Sequence, residues 1–155
     1  MKILFVCLGN ICRSPMAETI FKKMIAEEGL EENVEIESAG TGDWHIGEKA
    51  DPRMRGHAEK RGYLITSLGR TVAIDDFKYY DKIIAMDDSN VQNLQKICPP
   101  EFLHKIEKMT NYSQEYSHTE VPDPYYGGDK GFQLVIDLLE DACKGLSAEV
   151  KTKIS

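Results

Sequence analysis

The first fifteen residues leave the rest of the chain few choices. An apolar run, Ile3-Leu4-Phe5-Val6, leads into Cys7-Leu8-Gly9-Asn10-Ile11-Cys12-Arg13-Ser14, and a helical pattern begins near Pro15. A thiol stands where a buried strand ends, an arginine six residues later, and a helix N-terminus directly behind. The five residues between Cys7 and Arg13 can close into a cradle whose amide N–H groups point inward and hold a tetrahedral oxyanion. Arg13 can fork two of the anion's oxygens, and Cys7 lies at the floor. The same positive field favours the thiolate. Gly9 and Asn10 tolerate the positive φ that such a nest needs. The spacing by itself is weak evidence, since a strand-end Cys near a surface Arg would give the same pattern. The strand before and the helix after are what strengthen it.

Further along, apolar periodicity alternates between the two regular structures. Met16, Ala17, Ile20, Phe21, Met24 and Ile25 recur at helical spacing, predicting a helix from about Pro15 to Glu28 with Gly29 as its C′ residue. Val34 to Glu37 alternates like a half-buried strand, and Ser38-Ala39-Gly40-Thr41-Gly42 opens a loop that carries Trp44 and His45. Asp51-Pro52 reads as an N-cap and first-turn proline of a second helix closed by Gly62. Asp75-Asp76-Phe77 caps a short helical turn, and Lys82 to Met86 forms a buried strand. Asp87-Asp88-Ser89 starts a helix with Val91, Leu94 and Ile97 inward, ending before Pro99-Pro100. Ile106 to Met109 is a short last strand, Thr110 to Gly128 a long loop, and Phe132, Val135, Ile136, Leu139, Cys143 and Leu146 stripe a final helix. Strands alternating with helices imply βαβ units, a parallel sheet and right-handed crossovers. In open sheets of this kind ligands bind beyond the carboxyl ends of the strands, where Cys7 lies.

At 155 residues the chain is expected to be one domain, spanning 1–155, with 41% hydrophobic and 29% charged residues as in an ordinary globular protein. No apolar run approaches the roughly 18 residues needed to span a bilayer, so no membrane association is expected. The N-terminal run is too short for a signal peptide and enters the motif directly. Cysteines at 7, 12, 98 and 143 show no disulfide-framework spacing, and a cytoplasmic setting would keep them reduced. Their spacing to histidines fits no tetrahedral metal site, so neither metal nor cofactor is expected. A formal charge of −7 argues against nucleic acid as a partner. It also makes the anion cradle a local exception that must draw its field from Arg13, amide dipoles and a helix end.

The second unusual stretch is Val121-Pro122-Asp123-Pro124-Tyr125-Tyr126-Gly127-Gly128. Asp123 stands between two prolines, each of which restricts the backbone beside it. A carboxyl on so stiff a loop suits proton transfer, and the two tyrosines can wall a cleft that accepts a flat ring. The plainer reading is a proline-rich turn with two surface tyrosines. Chemistry tips the balance. A thiolate attacking a phosphate monoester displaces an alkoxide or phenolate, and phenol has a pKa near 10. An acid beside the leaving oxygen typically contributes about 10²–10⁴-fold. The same carboxylate can then activate water against the phosphocysteine, so one Cys, one Arg and one Asp complete a two-step phosphatase without metal.

Taken together, these stretches resemble the low-molecular-weight protein tyrosine phosphatases over nearly the whole chain. The resemblance is carried by the Cys-Leu-Gly-Asn-Ile-Cys-Arg-Ser-Pro loop, Ser-Ala-Gly-Thr at 38–41, Asp51-Pro52-Arg53, Met86-Asp87-Asp88-Ser89-Asn90 and Asp123-Pro124-Tyr125-Tyr126-Gly127. It implies a three-layer α/β/α fold, a four-stranded parallel sheet flanked by helices on both faces. It implies hydrolysis of phosphotyrosine-containing proteins and small aryl phosphates, with phosphate, sulfate or vanadate as active-site anions. By the same resemblance Cys7 is the nucleophile, Arg13 the phosphate clamp and Asp123 the general acid. Leu8, Gly9, Asn10, Ile11, Cys12, Arg13 and Ser14 form the binding loop, and Trp44, Tyr125 and Tyr126 an aromatic slot. Asn10 would hold the strained loop through a network with Ser38, and Ser14 would donate to the Cys7 sulfur. One departure is Ser67, which stands where animal members carry a His bonded into that network.

Other residues have competing readings. Cys12 is either a partner for an oxidised Cys7 in a reversible disulfide or packing under the cradle. Cys98 and Cys143 read as inert core thiols, His45, near the cleft loop, as a solvated loop residue or else a substrate contact, and Asp87-Asp88 as a helix cap rather than a second acid site. An arsenate reductase on the same fold is the rival enzyme, but it needs relay cysteines, and Cys98 stands alone in the relevant region. A phosphate-binding module without catalysis would have no use for Cys7, Arg13 and Asp123 together.

Overall fold

A computed structural model describes residues 1–125 and 127–154. The elements run in order β1 (Lys2–Cys7), α1 (Arg13–Glu27), β2 (Glu35–Gly40), α2 (Pro52–Lys60), α3 (Ile74–Tyr79), β3 (Lys82–Ala85), α4 (Asp88–Ile97), β4 (Ile106–Lys108) and α5 (Asp129–Ile154), with 3₁₀ turns at Pro100–Lys105 and Met109–Tyr112. The four strands form one parallel sheet in the order β2-β1-β3-β4. The strand after β1 in the chain pairs on one side of it and β3 on the other. The chain therefore diverges at the carboxyl end of β1 and leaves a crevice there.

The two-residue period of β1 divides the core. Ile3, Phe5 and Cys7 point into the layer shared with α1, α2 and α5. Leu4 and Val6 point into the opposite layer, with Phe77 of α3 and Leu94 of α4. Phe5 meets Phe21 edge-on at 5.9 Å. Each such side chain contributes about 1.5–3 kcal/mol by leaving water, so both faces of the central strand are firmly held.

Two boundaries and one side chain differ from the periodicity. The first helix starts at Arg13, with Cys12 as its N-cap residue. Pro15 then occupies the third helical position, where its missing N–H costs nothing because first-turn amides have no intrahelical partner. The second strand runs on to Gly40, taking in Ser38 and Ala39, which the polar composition assigned to a loop. They pair with Phe5 and Val6 of β1. A Cβ on Gly40 would come within 2.9 Å of the Leu8 carbonyl, so glycine lets this strand end against the cradle. Ile97, expected inward, is exposed at the end of α4, whereas Leu94 is fully buried. In α5, a Cβ on Gly145 would collide with the Tyr112 carbonyl. That glycine allows the long helix to press on the 3₁₀ turn after β4.

Candidate active site

A cleft of about 300 Å³ opens at the carboxyl end of β1, lined by Cys7, Leu8, Gly9, Ile11, Cys12, Arg13, Trp44, His45, Asp123 and Tyr125. Its floor is the Cys7–Arg13 loop. Four loop carbonyls are turned outward into bonds: Cys7 to the Thr41 amide (3.0 Å), Leu8 to Gly42 (2.9 Å), Ile11 to Asp51 (2.8 Å) and Cys12 to Met16 (3.2 Å). With its carbonyls engaged elsewhere, the loop presents its amide side and the free first turn of α1 to the cleft. Asn10 makes the reversal possible by adopting φ 56°, the only positive φ outside glycine among the described residues.

That strained residue is tied down on three sides. Its Nδ2 donates to Ser14 Oγ (2.8 Å) and Ser38 Oγ (3.0 Å), and its Oδ1 accepts from the Arg70 amide (3.0 Å). Ser14 Oγ lies 3.0 Å from Cys7 Sγ. Asn10 and Ser14 are thus beneath the cradle and do not line the cleft.

Arg13 reaches the cleft from the start of α1 and is almost fully buried. Its Nη1 donates to Asp87 Oδ2 (2.6 Å) and the Val121 carbonyl (3.1 Å), while Nη2 lies 3.6 Å from Asp123 Oδ2. Burial opposes its charge, but Cys7, the bond and charge of Asp87, and Asp123 outweigh that, and its pKa is raised. Asp87 also caps α4 by accepting from the Asn90 amide (2.7 Å). The expected cap is present, and its second oxygen aims the guanidinium, a role that local sequence does not announce.

Asp123 is part exposed at the cleft mouth, and its Oδ1 accepts from the Tyr125 amide (3.0 Å). The loop behind it is fastened to α2. The Arg53 guanidinium pairs with Asp51 and lies over the rings of Tyr125 (5.2 Å) and Phe132 (5.0 Å). His57 stacks on Phe132 (5.6 Å) and sits 3.2 Å from Asp129 Oδ1. His57, which no local sequence signal marks, thereby joins α2 to α5.

Trp44 is 66% exposed and lines the cleft together with Tyr125. A Cβ on Gly42 would overlap the indole, so glycine there lets Trp44 fold over the loop. Tyr126, expected in the same slot, lies outside the described residues. His45, read as a solvated loop residue or a substrate contact, lines the cleft, held by Glu48 and packed so closely on Gly9 that a Cβ there would meet its ring at 3.2 Å.

Cys12 also lines the cleft. Burial pushes its thiol pKa up, and the negative charges of Asp51, Cys7 and Asp123 reinforce the shift. Cys98 and Cys143 lie away from the cleft, in opposite core layers, each with its pKa raised by burial. Among the described residues no three His, Cys, Asp or Glu side chains converge as a metal would require. Nor is any helix long and apolar enough to cross a membrane.

The sequence profile of the low molecular weight phosphotyrosine protein phosphatase family matches residues 2–155. A putative low molecular weight protein-tyrosine-phosphatase of Synechocystis sp. is 46% identical over 147 residues, 94% of each chain. A low molecular weight phosphotyrosine protein phosphatase of Schizosaccharomyces pombe is 43% identical over 133 residues, 85% of each chain. Among solved structures, a protein tyrosine phosphatase of Entamoeba histolytica with Hepes in the active site superimposes with a TM-score of 0.96 at 50% identity, covering 99% of this chain and 98% of that one.

Proposed function

This chain belongs to the low molecular weight phosphotyrosine protein phosphatase family, and from that premise we propose that it hydrolyses phosphotyrosine in proteins, and small aryl phosphates, through a phosphocysteine on Cys7. The observation that carries the mechanism is the convergence of Cys7, Arg13 and Asp123 on one cleft, with Arg13 held by Asp87 and its Nη2 3.6 Å from the Asp123 carboxylate. The phosphoryl group sits in the cradle, its oxygens held by loop amides and Arg13, its phosphorus over the sulfur. Trp44 and Tyr125 flank the substrate ring. The Cys7 thiolate forms the S–P bond as the P–O bond to the phenol breaks, and Asp123 gives its proton to the departing oxygen. The Asp123 carboxylate then takes a proton from water, whose oxygen attacks phosphorus. Inorganic phosphate leaves and the thiolate is restored. Neither step calls for a metal.

The Entamoeba relative holds Hepes, a sulfonate buffer, in its active site. That supports phosphate, sulfate and vanadate as competitors for this cleft. Four free cysteines favour a cytoplasmic setting, and residues 1–155 are taken as one catalytic domain. Arsenate reduction is disfavoured, since only Cys7 and Cys12 line the cleft and the other two thiols stand apart from it.

The acid role is tested by leaving-group dependence. With Asp123→Ala, kcat/KM for phenyl phosphate or phosphotyrosine, whose phenol has a pKa near 10, falls by about 10²-fold or more. p-Nitrophenyl phosphate, with a far weaker base as leaving group, loses much less. Equal losses for both substrates would reassign Asp123 to stiffening the loop.

A further inference from the structure

The bonds beneath the cradle continue past Ser38 to the surface. Ser38 Oγ donates to Glu18 Oε1 at 2.5 Å, and Lys22 Nζ donates to Glu18 Oε2 at 2.6 Å, one turn further along α1. The Glu18 side chain is 7% exposed and that of Lys22 53%. The directions along this chain are not free. A carboxylate has no proton to give, so Ser38 must donate its only one to Glu18. The Ser38 oxygen then accepts from Asn10 Nδ2 at 3.0 Å. The Asn10 amide cannot turn over, because its Oδ1 accepts from the Arg70 amide. Its Nδ2 therefore also donates to Ser14 Oγ at 2.8 Å. That leaves the Ser14 proton for Cys7 Sγ at 3.0 Å, in preference to the Ala39 carbonyl at 3.4 Å.

We propose that Lys22 and Glu18 are positioning residues that hold Ser38 as an acceptor for Asn10 Nδ2 and so steady Asn10, which orders the Ser14 O–H···S contact that supports the Cys7 thiolate. The proposal rests on Cys7 being the nucleophile. Lys22 acts by holding the Glu18 carboxylate in place against Ser38. Exposed lysine pairs usually matter little; this one differs because its carboxylate is buried and already bonded to Ser38. The neighbouring groups do not replace it. Thr19, Lys23, Tyr63 and Ser67 share a cavity of about 230 Å³ with Glu18 and Lys22. Of these, Lys23 lies over the Tyr63 ring at 4.9 Å, and the Thr19 hydroxyl donates to the Pro15 carbonyl. Here the carboxylate reaches Ser38 directly and the lysine balances its charge. Without the carboxylate the Ser38 oxygen is no longer held as an acceptor, and Asn10 loses one of the three bonds that fix its strained backbone.

The test uses Lys22→Met, Lys22→Arg and Glu18→Gln, with thermal melting as the check on folding. Two quantities are read: the rate of iodoacetamide alkylation at Cys7, resolved by peptide mass spectrometry at about pH 6, the thiolate being the form that reacts, and kcat/KM for p-nitrophenyl phosphate. Lys22→Met lowers both by about fivefold, Glu18→Gln by at least as much, and Lys22→Arg by less than about twofold. Lys22→Met with alkylation at the wild-type rate overturns the proposal, as does an activity loss with no change in alkylation. Should Glu18→Gln not fold, the surface substitution decides alone. A wild-type protein that turns over no aryl phosphate would refute the phosphatase mechanism, while the alkylation rates would still read the hydrogen-bond chain.

Discussion

Arg13 carries a charge that burial opposes and its neighbours sustain. Asp87 and the Val121 carbonyl hold one terminal nitrogen, which leaves the other directed toward Asp123 and the cleft. A lysine could keep the charge but could not satisfy those partners and also fork a phosphate. Arg13→Lys is expected to retain less than about a tenth of wild-type kcat/KM, a loss of at least roughly 1.4 kcal/mol in transition-state stabilisation, nearly as severe as Arg13→Ala. Steady-state kinetics on p-nitrophenyl phosphate check this, and retention above that level would remove the two-point role. At this scale the residues legible in sequence were those whose chemistry is unusual for their setting: a thiol at a strand end, an arginine opening a helix, a carboxylate between prolines. Asp87 was legible only as a cap, because a cap leaves a local signature and a bond to Arg13 across 74 positions of sequence does not. Glu18 looked like any helix acid, and His45 like any loop histidine. Their partners come from other segments, or lie on a loop whose fold over Gly9 the sequence pattern does not reveal.

The element that anchors the cradle from the side is α2. Asp51 caps it, accepting from the amides of Arg53 (2.8 Å) and Met54 (3.4 Å), and its own amide donates to Ile11 in the binding loop. Burial would raise the Asp51 carboxyl pKa, but the Arg53 side-chain and backbone bonds outweigh it and hold the carboxyl below its usual range. A depressed folded-state pKa means stability that is fully present above the unfolded value, about pH 4, and lost as pH falls through the folded value. Asp51→Ala is expected to cost about 1 kcal/mol at neutral pH, with a range of roughly 0.5–2. In urea melts the gap from wild type stays level from about pH 7 to 5 and narrows below about pH 4. A gap that widened in acid would contradict the cap. Asp51-Pro52 and Gly62 made this helix legible, because caps and breakers are local. The 3₁₀ turn at Pro100–Lys105 has no period long enough to read. The extension of β2 through Ser38-Ala39-Gly40 was hidden because pairing with β1, and not side-chain polarity, decides it. The long segment after β4 also has anchors without a sequence signal: Asp141 of α5 accepts from the amides of Gln114, Glu115 and Tyr116.

The whole molecule is acidic, at −7, yet it builds an anion site. The fold resolves this by position. The strand order diverges at β1, and the crevice there collects a helix N-terminus, a loop with its carbonyls turned outward, and one buried guanidinium. The acid arrives from the opposite end of the chain, on a loop tied down by Arg53, Phe132 and His57. The alternation of strands and helices made the layered architecture legible, and two short motifs made the chemistry so. The distance the acid loop travels to meet the cradle was not, since no local pattern encodes it. The most direct test of the account is to quench the enzyme during turnover of phosphotyrosine and locate phosphorus by peptide mass spectrometry. Phosphate on Cys7, absent in Cys7→Ser, is the predicted result. Turnover with no phosphoenzyme in the rapid-quench time course, or with phosphate on any other residue, would contradict it.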